Sequence, residues 1–436
     1  MSLSLSIHRA ALVSLILSMA LPMASWAADP LTLTLTLTLA EAQRIATNRS
    51  QQLVAQDALG AALREQALAA GQLPDPVLKA GIDNLPANGP DSFSLTRDFM
   101  TMRRIGISQE LPRAAKRQLR TERFERDAQR VVAQRQLSQA KVERDTALAW
   151  LDRYYALAMR ALLQQQLLEN RLQVQAADSG FRTGRGSQAD VFSARSAVIQ
   201  LEDRLSQIDR QARGASLQLA RWVGAQVAER SPAGTPPWQS TSFQEGAFSE
   251  HLKQHPDLLV ISAEIDAAET DARLAQANQQ SDWSIEASYA QRGPAYSDML
   301  SIGVSIPLQW DQKNRQDREL SAKLALVNEA KARYEDLFRH QEAEARGWLN
   351  DWQNGKERVA RYQNEMLPTA QQRTEATLTT YRTGKGDLSS ILAARRDEIE
   401  VRLKTLALAL ETARSWAHLN FLIPSTVTMN RPKDQP

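Results

Sequence analysis

Few residues of this 436-residue chain have the type and spacing to do chemistry. Met100 and Met102 are soft thioethers of the kind that bind Cu(I) or Ag(I), although an ordinary loop is the favoured interpretation. His251 and His255 have the spacing at which two side chains on one helix face share a metal ion, but Pro256 disfavours helix at His255. Cysteine is absent, which excludes disulfides, thiolate metal sites and cysteine catalysis. We therefore predict no enzyme, no cofactor and no firm metal site.

A glycine motif occurs twice in the chain. Residues 181–195 return as residues 381–395, and both copies contain Arg-Thr-Gly-x-Gly. A phosphate-binding loop is one interpretation, but no strand precedes either copy and the pattern is incomplete. Glycine allows a chain to leave a helix in the left-handed conformation, and Ser187 and Asp387 are suitable N-caps for a returning helix. Each copy therefore predicts the bend of a helical hairpin, and the pair indicates an internal duplication.

Long helical segments lead into both bends. Residues 114–179 contain neither Gly nor Pro, and a helix of that length would extend about 100 Å. The second segment begins near Asn314 and contains Gly347, Gly355 and Pro368, where we expect it to be bent or interrupted. Return helices are predicted to end near residues 222 and 422. An earlier helix is predicted in each half, at residues 40–73 and 248–280.

Two β-hairpins are predicted between these helices. Residues 283–290 and 301–308 alternate apolar and polar side chains, and residues 77–85 and 103–111 form a weaker counterpart. Each strand has roughly the length that crosses a bilayer when tilted, whereas a soluble sheet packed on helices is the alternative. Four strands cannot close a barrel and open edges are not tolerated in lipid, so strands that span a membrane would require several subunits.

Composition and local patterns divide the chain into segments. The hydrophobic content of 43% excludes a disordered protein, and a net charge of +3 without a basic block argues against nucleic acid as a partner. Residues 1–27 resemble a secretory signal peptide, with an uncleaved anchor as the alternative. We predict a first repeat at 28–228 with its β-hairpin at 76–111, a linker at 229–246, a second repeat at 247–423 with its β-hairpin at 283–309, and a flexible tail at 424–436. The alternating Leu-Thr run at 31–39 is either an edge strand or unstructured.

This order of elements resembles the TolC-type outer-membrane factor family over nearly all of the mature chain. The most specific features are the paired Arg-Thr-Gly-x-Gly bends and the hairpins that end at Pro112 and Leu308. The resemblance implies a mainly α fold with β, internally duplicated, in which three subunits form an α-helical tunnel across the periplasm and share a twelve-stranded outer-membrane β-barrel. It also implies three kinds of partner besides two further copies of the chain: a periplasmic adaptor protein, an inner-membrane transporter of the RND type, and outer-membrane lipid.

Four short segments resemble the heavy-metal and cation branch of that family. They are residues 73–77, 83–86, 98–103 and 109–112. This resemblance implies an outer-membrane channel that serves as a passive exit duct for copper and silver or for cobalt, zinc and cadmium. A generic drug duct and, less favoured, a periplasmic coiled-coil adaptor remain alternatives. Many members carry a lipidated N-terminal cysteine, so its absence implies anchoring by the strands alone.

The resemblance also assigns roles to residues at the bends. It implies that both bends are periplasmic tips that dock an adaptor, through Arg182, Thr183, Gly184, Arg185, Gly186, Arg382, Thr383, Gly384, Lys385 and Gly386. Asp190 lies where the family often has an acidic residue that narrows the tunnel, and three copies would attract cations. The second repeat has Ser390 at that spacing, with Asp387 three residues earlier, which puts a symmetric ring in doubt. Helix capping or a solvated charge is the alternative for Asp190. Met100 and Met102 would lie at the outer rim.

Overall fold

The computed structural model describes residues 36–241 and 248–422. The predicted signal peptide, the predicted tail and part of the predicted linker lie outside these ranges. The helices within them are α1 (Leu39–Arg49), α2 (Gln51–Ala70), α3 (Ala114–Arg182), α4 (Gln188–Val223), α5 (Ala225–Ala228), α6 (Phe248–Lys253), α7 (Pro256–Ala277), α8 (Gln316–Arg361), α9 (Leu367–Arg382) and α10 (Leu388–Asn420). The strands are β1 (Thr36–Leu37), β2 (Val77–Asp83), β3 (Met102–Leu111), β4 (Ser231–Pro232), β5 (Trp283–Gln291) and β6 (Met299–Ser305). The predicted class, mainly α with a minor β component, is confirmed.

The two long helical segments differ as their sequences suggest, but not at every expected residue. Helix α3 is continuous over 69 residues. The expected interruptions at Gly347 and Gly355 are wrong, because α8 runs through both glycines. The regular α-helix gives way instead to a π-helical turn at Tyr362–Met366, immediately before Pro368 in the first turn of α9. Proline has no N–H to donate and its ring crowds the carbonyl four residues earlier, so a widened turn relieves that contact.

The earlier helices of both halves are broken, although the sequence suggested one continuous helix in each. Helix α1 gives way to α2 at Ser50, and α6 gives way to α7 at His255. Pro256 is the first residue of α7, where a missing N–H costs nothing, and His255 Nδ1 accepts a hydrogen bond of 3.2 Å from Asp257 N. His255 is therefore an N-cap, and its capping atom must be unprotonated. Burial lowers the pKa of His255 to about 4.

Tryptophan side chains bind the linker to the long helices of both halves. Trp150 on α3 donates its indole N–H to Leu37 O at 2.9 Å. Trp352 on α8 donates to Trp238 O at 2.7 Å, and Trp416 on α10 donates to Ser240 O at 2.8 Å. Trp238 in turn donates to the hydroxyl of Tyr155 at 2.8 Å. These four buried indoles, which we call the tryptophan clamp, attach residues 238–240 and strand β1 to the long helices, and Leu37 and Trp238 lie in the largest hydrophobic core.

Two short strands pair beside the tryptophan clamp. Strand β1 pairs in parallel with β4, Thr36 with Ser231 and Leu37 with Pro232. The Arg153 guanidinium, which is almost fully buried, donates to Arg230 O beside β4 and to Ser216 Oγ at 3.0 Å. Part of the Leu-Thr run is thus an ordered strand. In the described part of the predicted linker, 229–241, Pro236 and Trp238 are buried and Trp238 lies in the core, whereas the other residues are exposed or half-buried.

Glycine is required at one close approach between α8 and α10. A Cβ at Gly355 would lie too close to Thr412 Oγ1 and 3.1 Å from its Cβ and Cγ2. Thr412 is 1% exposed and its hydroxyl donates to Leu408 O at 2.7 Å, so it has little freedom to move. Gly347, on the exposed side of the same helix, would bring a Cβ near no other atom.

We expect Gly355→Ala to lower the free energy of unfolding by about 1–3 kcal/mol, because the added methyl overpacks the contact with Thr412. The matched variant Gly347→Ala is expected to raise it by up to about 1 kcal/mol through helix propensity. Chemical denaturation followed by far-UV circular dichroism measures both. Equal effects of the two substitutions would contradict the proposed close contact.

The His255 cap predicts a specific acid sensitivity. The pKa in the folded protein lies below the ordinary value of 6.5, so stability from neutral His255 is complete above about pH 6.5 and is lost as the pH falls towards 4. The loss should be on the order of 2–3 kcal/mol. His255→Asn keeps a capping acceptor but does not titrate. Stability of the native protein should fall more steeply than that of the variant between pH 7 and 4.5, and parallel curves would contradict the assignment.

Candidate functional site

The four long strands form one antiparallel sheet in the order β2-β3-β5-β6. The first hairpin pairs β2 with β3, and the second pairs β5 with β6. The two hairpins join through β3 and β5, which are paired from Arg103 opposite Gln291 to Leu111 opposite Trp283. Within the described residues, β2 and β6 have no strand beyond them. The sheet therefore unites the two halves of the chain and leaves two open edges.

One face of this sheet is apolar and exposed. Ile302 is 79% exposed, Leu300 75% and Leu78 70%. The register places them on one face with further exposed apolar side chains: Ile82, Ile105, Ile107, Ile285, Tyr289 and Val304. A contiguous apolar surface of this kind on a folded protein marks contact with lipid or with another protein.

The other face is polar and carries paired charges. Lys79 Nζ lies 2.6 Å from Glu286 Oε2, and Arg104 Nε lies 3.0 Å from Asp83 Oδ2. Ser108, Ser284, Ser288, Ser301 and Ser305 share this face by register. Alternation of apolar and polar residues along each strand thus produces a sheet with one face suited to lipid and one suited to water.

The connections within the two hairpins are bound to each other at one end of the sheet. Arg292 Nη2 donates to Phe99 O at 2.6 Å, and Gly293 packs so closely on Thr96 that a Cβ would overlap its carbonyl. Met100 is 46% exposed in this region, and Met102 begins β3 opposite Asp83. No group of three or more His, Asp or Glu suited to a metal ion occurs within 36–241 or 248–422. Metal binding by Met100 and Met102 stays a prediction.

The first Arg-Thr-Gly-x-Gly bend connects α3 to α4. Gly184 has φ 71°, and the N–H groups of Arg185 and Gly186 both donate to Gly180 O, at 2.9 and 3.1 Å. Thr183 Oγ1 donates to Ser179 O at 3.0 Å and so satisfies a carbonyl at the end of α3. The motif residues thus close the helix and reverse the chain, because only glycine adopts this backbone conformation without strain.

The second bend, between α9 and α10, has the same construction. Gly384 has φ 75°, and the Lys385 N–H donates to Thr380 O at 3.1 Å. Thr383 Oγ1 donates to Thr380 O at 2.9 Å. Gly386 packs against the backbone of Tyr381, where a Cβ would lie 3.2 Å from its nitrogen. The two bends are therefore equivalent in structure as well as in amino-acid sequence.

The two acidic residues at the bends are helix-capping groups. Asp190 completes a capping box with Ser187: its Oδ2 accepts from Ser187 N at 2.9 Å, and Asp190 N donates to Ser187 Oγ at 3.2 Å. Asp387 Oδ1 accepts from Ser390 N at 2.9 Å. Hydrogen bonds from the Ser390 hydroxyl and backbone hold the pKa of Asp387 below its ordinary value. The capping alternative thus has direct geometric support, and a tunnel-narrowing role stays a prediction.

The basic side chains of the bends point into solvent. Arg182 is paired with Asp178 at 2.9 Å although its side chain is 77% exposed. Within the described ranges, no carboxylate lies within 4 Å of Arg185, Arg382 or Lys385. This leaves three exposed and unpaired cations at the ends of the hairpins, a surface that favours an acidic partner.

A groove lies beside the bends, between α4 and α10. Its volume is about 590 Å³, and it is lined by Phe192, Ser196, Leu201, Ser389, Leu392 and Arg396, among others. Below it, Val191 and Ala194 pack against Leu388 and Ile391. Two ion pairs join the two helical hairpins in this region. Arg395 lies 2.6 Å from Glu169, and Arg204 contacts both carboxylate oxygens of Glu400.

Comparison with known proteins relates this architecture to outer-membrane efflux channels. Residues 247–423 match the family model described as outer membrane efflux protein. The chain superimposes on a membrane protein from Pseudomonas aeruginosa with a TM-score of 0.75 at 17% identity, over 88% of this chain and 89% of that one. It matches CusC at 0.72 and 15%, over 89% and 92%, and the CmeC outer membrane channel of Campylobacter jejuni at 0.69 and 13%, over 89% and 86%. No curated protein sequence matches the chain.

These comparisons support the TolC-type outer-membrane efflux family and establish its fold for this chain. The family model covers the second repeat, and the solved structures cover both. The proteins matched are membrane proteins and channels rather than enzymes. Over the described parts of the chain, no helix is both long and apolar enough to cross a membrane.

Sequence reasoning missed two features that the structure shows. The tryptophan clamp was not predicted, because an indole N–H reveals its acceptor only after the chain has folded. The pair of Lys79 and Glu286 was missed as well, because the two residues are 207 positions apart on strands that are not neighbours, and only the strand order and register of the folded sheet bring them into contact.

Proposed function

We propose that this protein is the homotrimeric outer-membrane exit duct of a tripartite efflux system. The observation that supports this most directly is the four-stranded sheet, which has one exposed apolar face and two unpaired edges. In a bilayer every backbone polar group requires a partner, so such a sheet is compatible with lipid only when copies close it. Three copies would form a twelve-stranded barrel, and the long helices would extend from it into the periplasm.

The aromatic residues of the sheet fit this placement. Trp283 and Trp310 lie towards one end of the second hairpin and Tyr289 and Tyr296 towards the other, and all four are at least 38% exposed. Such rings are favoured at the two interfaces between lipid and water. The polar face with Lys79 and Glu286 would line the lumen.

The Arg-Thr-Gly-x-Gly bends would be the periplasmic tips. Their exposed cations and the groove between α4 and α10 are suited to dock an adaptor protein, which connects the duct to an inner-membrane transporter of the RND type. The energy for transport would come from that transporter, and conduction through the duct would be passive. Opening would require the second helical hairpin to move relative to the first helical hairpin, and this movement would break the ion pairs of Arg395 with Glu169 and of Arg204 with Glu400.

Heavy-metal cations are the proposed substrates. The support is the resemblance of segments 73–77, 83–86, 98–103 and 109–112 to the cation branch, together with the exposed thioether of Met100 near the outer rim. Drug export through the same duct is the second candidate. It stays a candidate because the chain matches the outer membrane channels OprN and CmeC with TM-scores of 0.74 and 0.69, close to the 0.72 of CusC, so the shared fold favours none of these channels over the others.

Growth of a deletion strain on copper, silver, zinc, cobalt, cadmium and hydrophobic drugs tests the proposed substrates. We expect sensitivity to one group of metals, restored by the plasmid-borne gene. A variant with Gly184→Val and Gly384→Val is expected not to complement, because valine cannot adopt the positive φ of either tip. Sensitivity to drugs alone would contradict the metal proposal. A protein that stays in solution as a monomer without detergent would contradict the proposed duct.

Two substitutions separate the candidate roles of Asp190, which are to place a negative charge in the tunnel and to cap helix α4. Asp190→Asn keeps an acceptor for Ser187 and removes the charge, whereas Ser187→Ala weakens the capping box and keeps the carboxylate. If Asp190 narrows the tunnel, we expect Asp190→Asn to reduce cation over anion selectivity at least two-fold in planar bilayers, with little effect of Ser187→Ala. Equal selectivity of the native channel and Asp190→Asn would leave capping as its role.

A further inference from the structure

The strands of the two β-hairpins are equivalent position by position. A shift of 207 positions carries β2 onto β5 and places Glu286 where Lys79 lies, and a shift of 197 positions carries β3 onto β6 and places Gly303 where Gly106 lies. In the first hairpin Lys79 is opposite Gly106, and in the second Glu286 is opposite Gly303. The neighbouring pairs agree as well, since Val77 opposite Ser108 corresponds to Ser284 opposite Ser305. Equivalent positions of the two repeats thus carry opposite charges, each facing a glycine.

Glycine allows these two charges to meet. Lys79 lies on β2 and Glu286 on β5, with β3 between them. Gly106 has no side chain at this point, so Lys79 extends across it to reach Glu286 Oε2 at 2.6 Å. The pair therefore joins the first hairpin to the second over a strand that bears no obstacle. Gly303 provides the same opening on β6, the edge strand on the other side of Glu286.

We propose that β6 of one copy pairs with β2 of the next copy in the register that β3 uses for β5. Glu286 would then reach Lys79 of the next copy across Gly303, as Lys79 reaches Glu286 across Gly106 within one copy. In a trimer the result is a closed ring in which Lys79 and Glu286 alternate. This inference rests on the shared sheet of the proposed function and adds the register and the contacts that close it.

The register follows from the observed one. Ser108 lies opposite Glu286, and the same relation places Ser305 opposite Lys79 of the next copy. Gly106 opposite Ser288 likewise places Gly303 opposite Gly81. A slip of one residue would turn Lys79 onto the apolar face, and a slip of two would move it by about 7 Å along the strand. The two unlike faces therefore exclude a slip of one residue, and the charge pair favours this register over a slip of two.

The ring is a device for specificity rather than for stability. The side chains of Lys79 and Glu286 are 44% and 32% exposed, and ion pairs so accessible to water add little stability. Their opposite signs nevertheless require that the first hairpin of one copy meet the second hairpin of another. A first hairpin beside a first hairpin would place lysine next to lysine, and a second beside a second would place glutamate next to glutamate.

Disulfide crosslinking tests this register, because the chain contains no cysteine of its own. In Ser305→Cys with Lys79→Cys, oxidation should produce covalent trimers on a non-reducing gel, since directly opposed residues bring their Cβ atoms within disulfide reach. The matched reference is Ser108→Cys with Glu286→Cys, the equivalent pair inside one copy. It should lose its free thiols at a similar rate without any change in mass.

Three further variants define the outcomes that would overturn the proposal. Ser305→Cys with Leu78→Cys places the second thiol on the opposite face and should give no trimer. Covalent trimers from Ser305→Cys with Val77→Cys or with Gly81→Cys, in place of Lys79→Cys, would show a slipped register. A trimeric mass by light scattering without crosslinking, while the reference pair oxidises, would reject this pairing and leave the duct intact. A monomeric mass in detergent would reject the proposed function itself.

Discussion

Backbone hydrogen bonding is the constraint on which the proposed assembly depends. Strands β2 and β6 each have an edge whose N–H and C=O groups find no strand partner in the described chain, while the apolar side chains of the same strands are exposed. Water hydrogen-bonds to the backbone groups of an open edge, but exposure of an apolar face to water is unfavourable. Lipid accommodates an apolar face, but it leaves the backbone groups of an open edge without hydrogen-bond partners. A closed sheet of several copies satisfies both requirements together. The internal duplication supplies the means, because β3 and β5 already form one such junction inside each copy.

The second organising feature is the joint between the halves at the tryptophan clamp. Long helices bury a narrow stripe, and ion pairs such as Arg123 with Asp271 connect α3 to α7 where aliphatic packing is sparse. The largest core gathers instead where Trp150, Trp352 and Trp416 enclose the linker. A buried indole N–H without an acceptor is costly, so the bonds of Trp352 and Trp416 favour one position of the linker and that of Trp150 favours one position of β1. The tips, far along the helices, are joined by smaller clusters and ion pairs.

How much of the molecule could be predicted depended on how local the physical cause was. The bends were predictable because the positive φ of Gly184 and Gly384 and the caps at Ser187 and Asp387 are decided within a few residues. The break at His255 was not predicted although Pro256 indicates it, and the break at Ser50 was not predicted because no proline or glycine lies beside it. Gly355 was predicted to interrupt its helix. Its actual role is to admit Thr412, a residue of another helix, which no local pattern reveals.

The sequence by itself determined the duplication, the helical hairpins with their glycine bends, and the alternation that gives the sheet two unlike faces. Each of these follows from backbone preference or side-chain period along a single segment. Only the tertiary structure decided the strand order, the contact of Lys79 with Glu286 across Gly106, and the hydrogen bonds from tryptophans on the long helices to the linker. These depend on which distant segments meet, and that is fixed when backbone and indole donors find their acceptors in a common core.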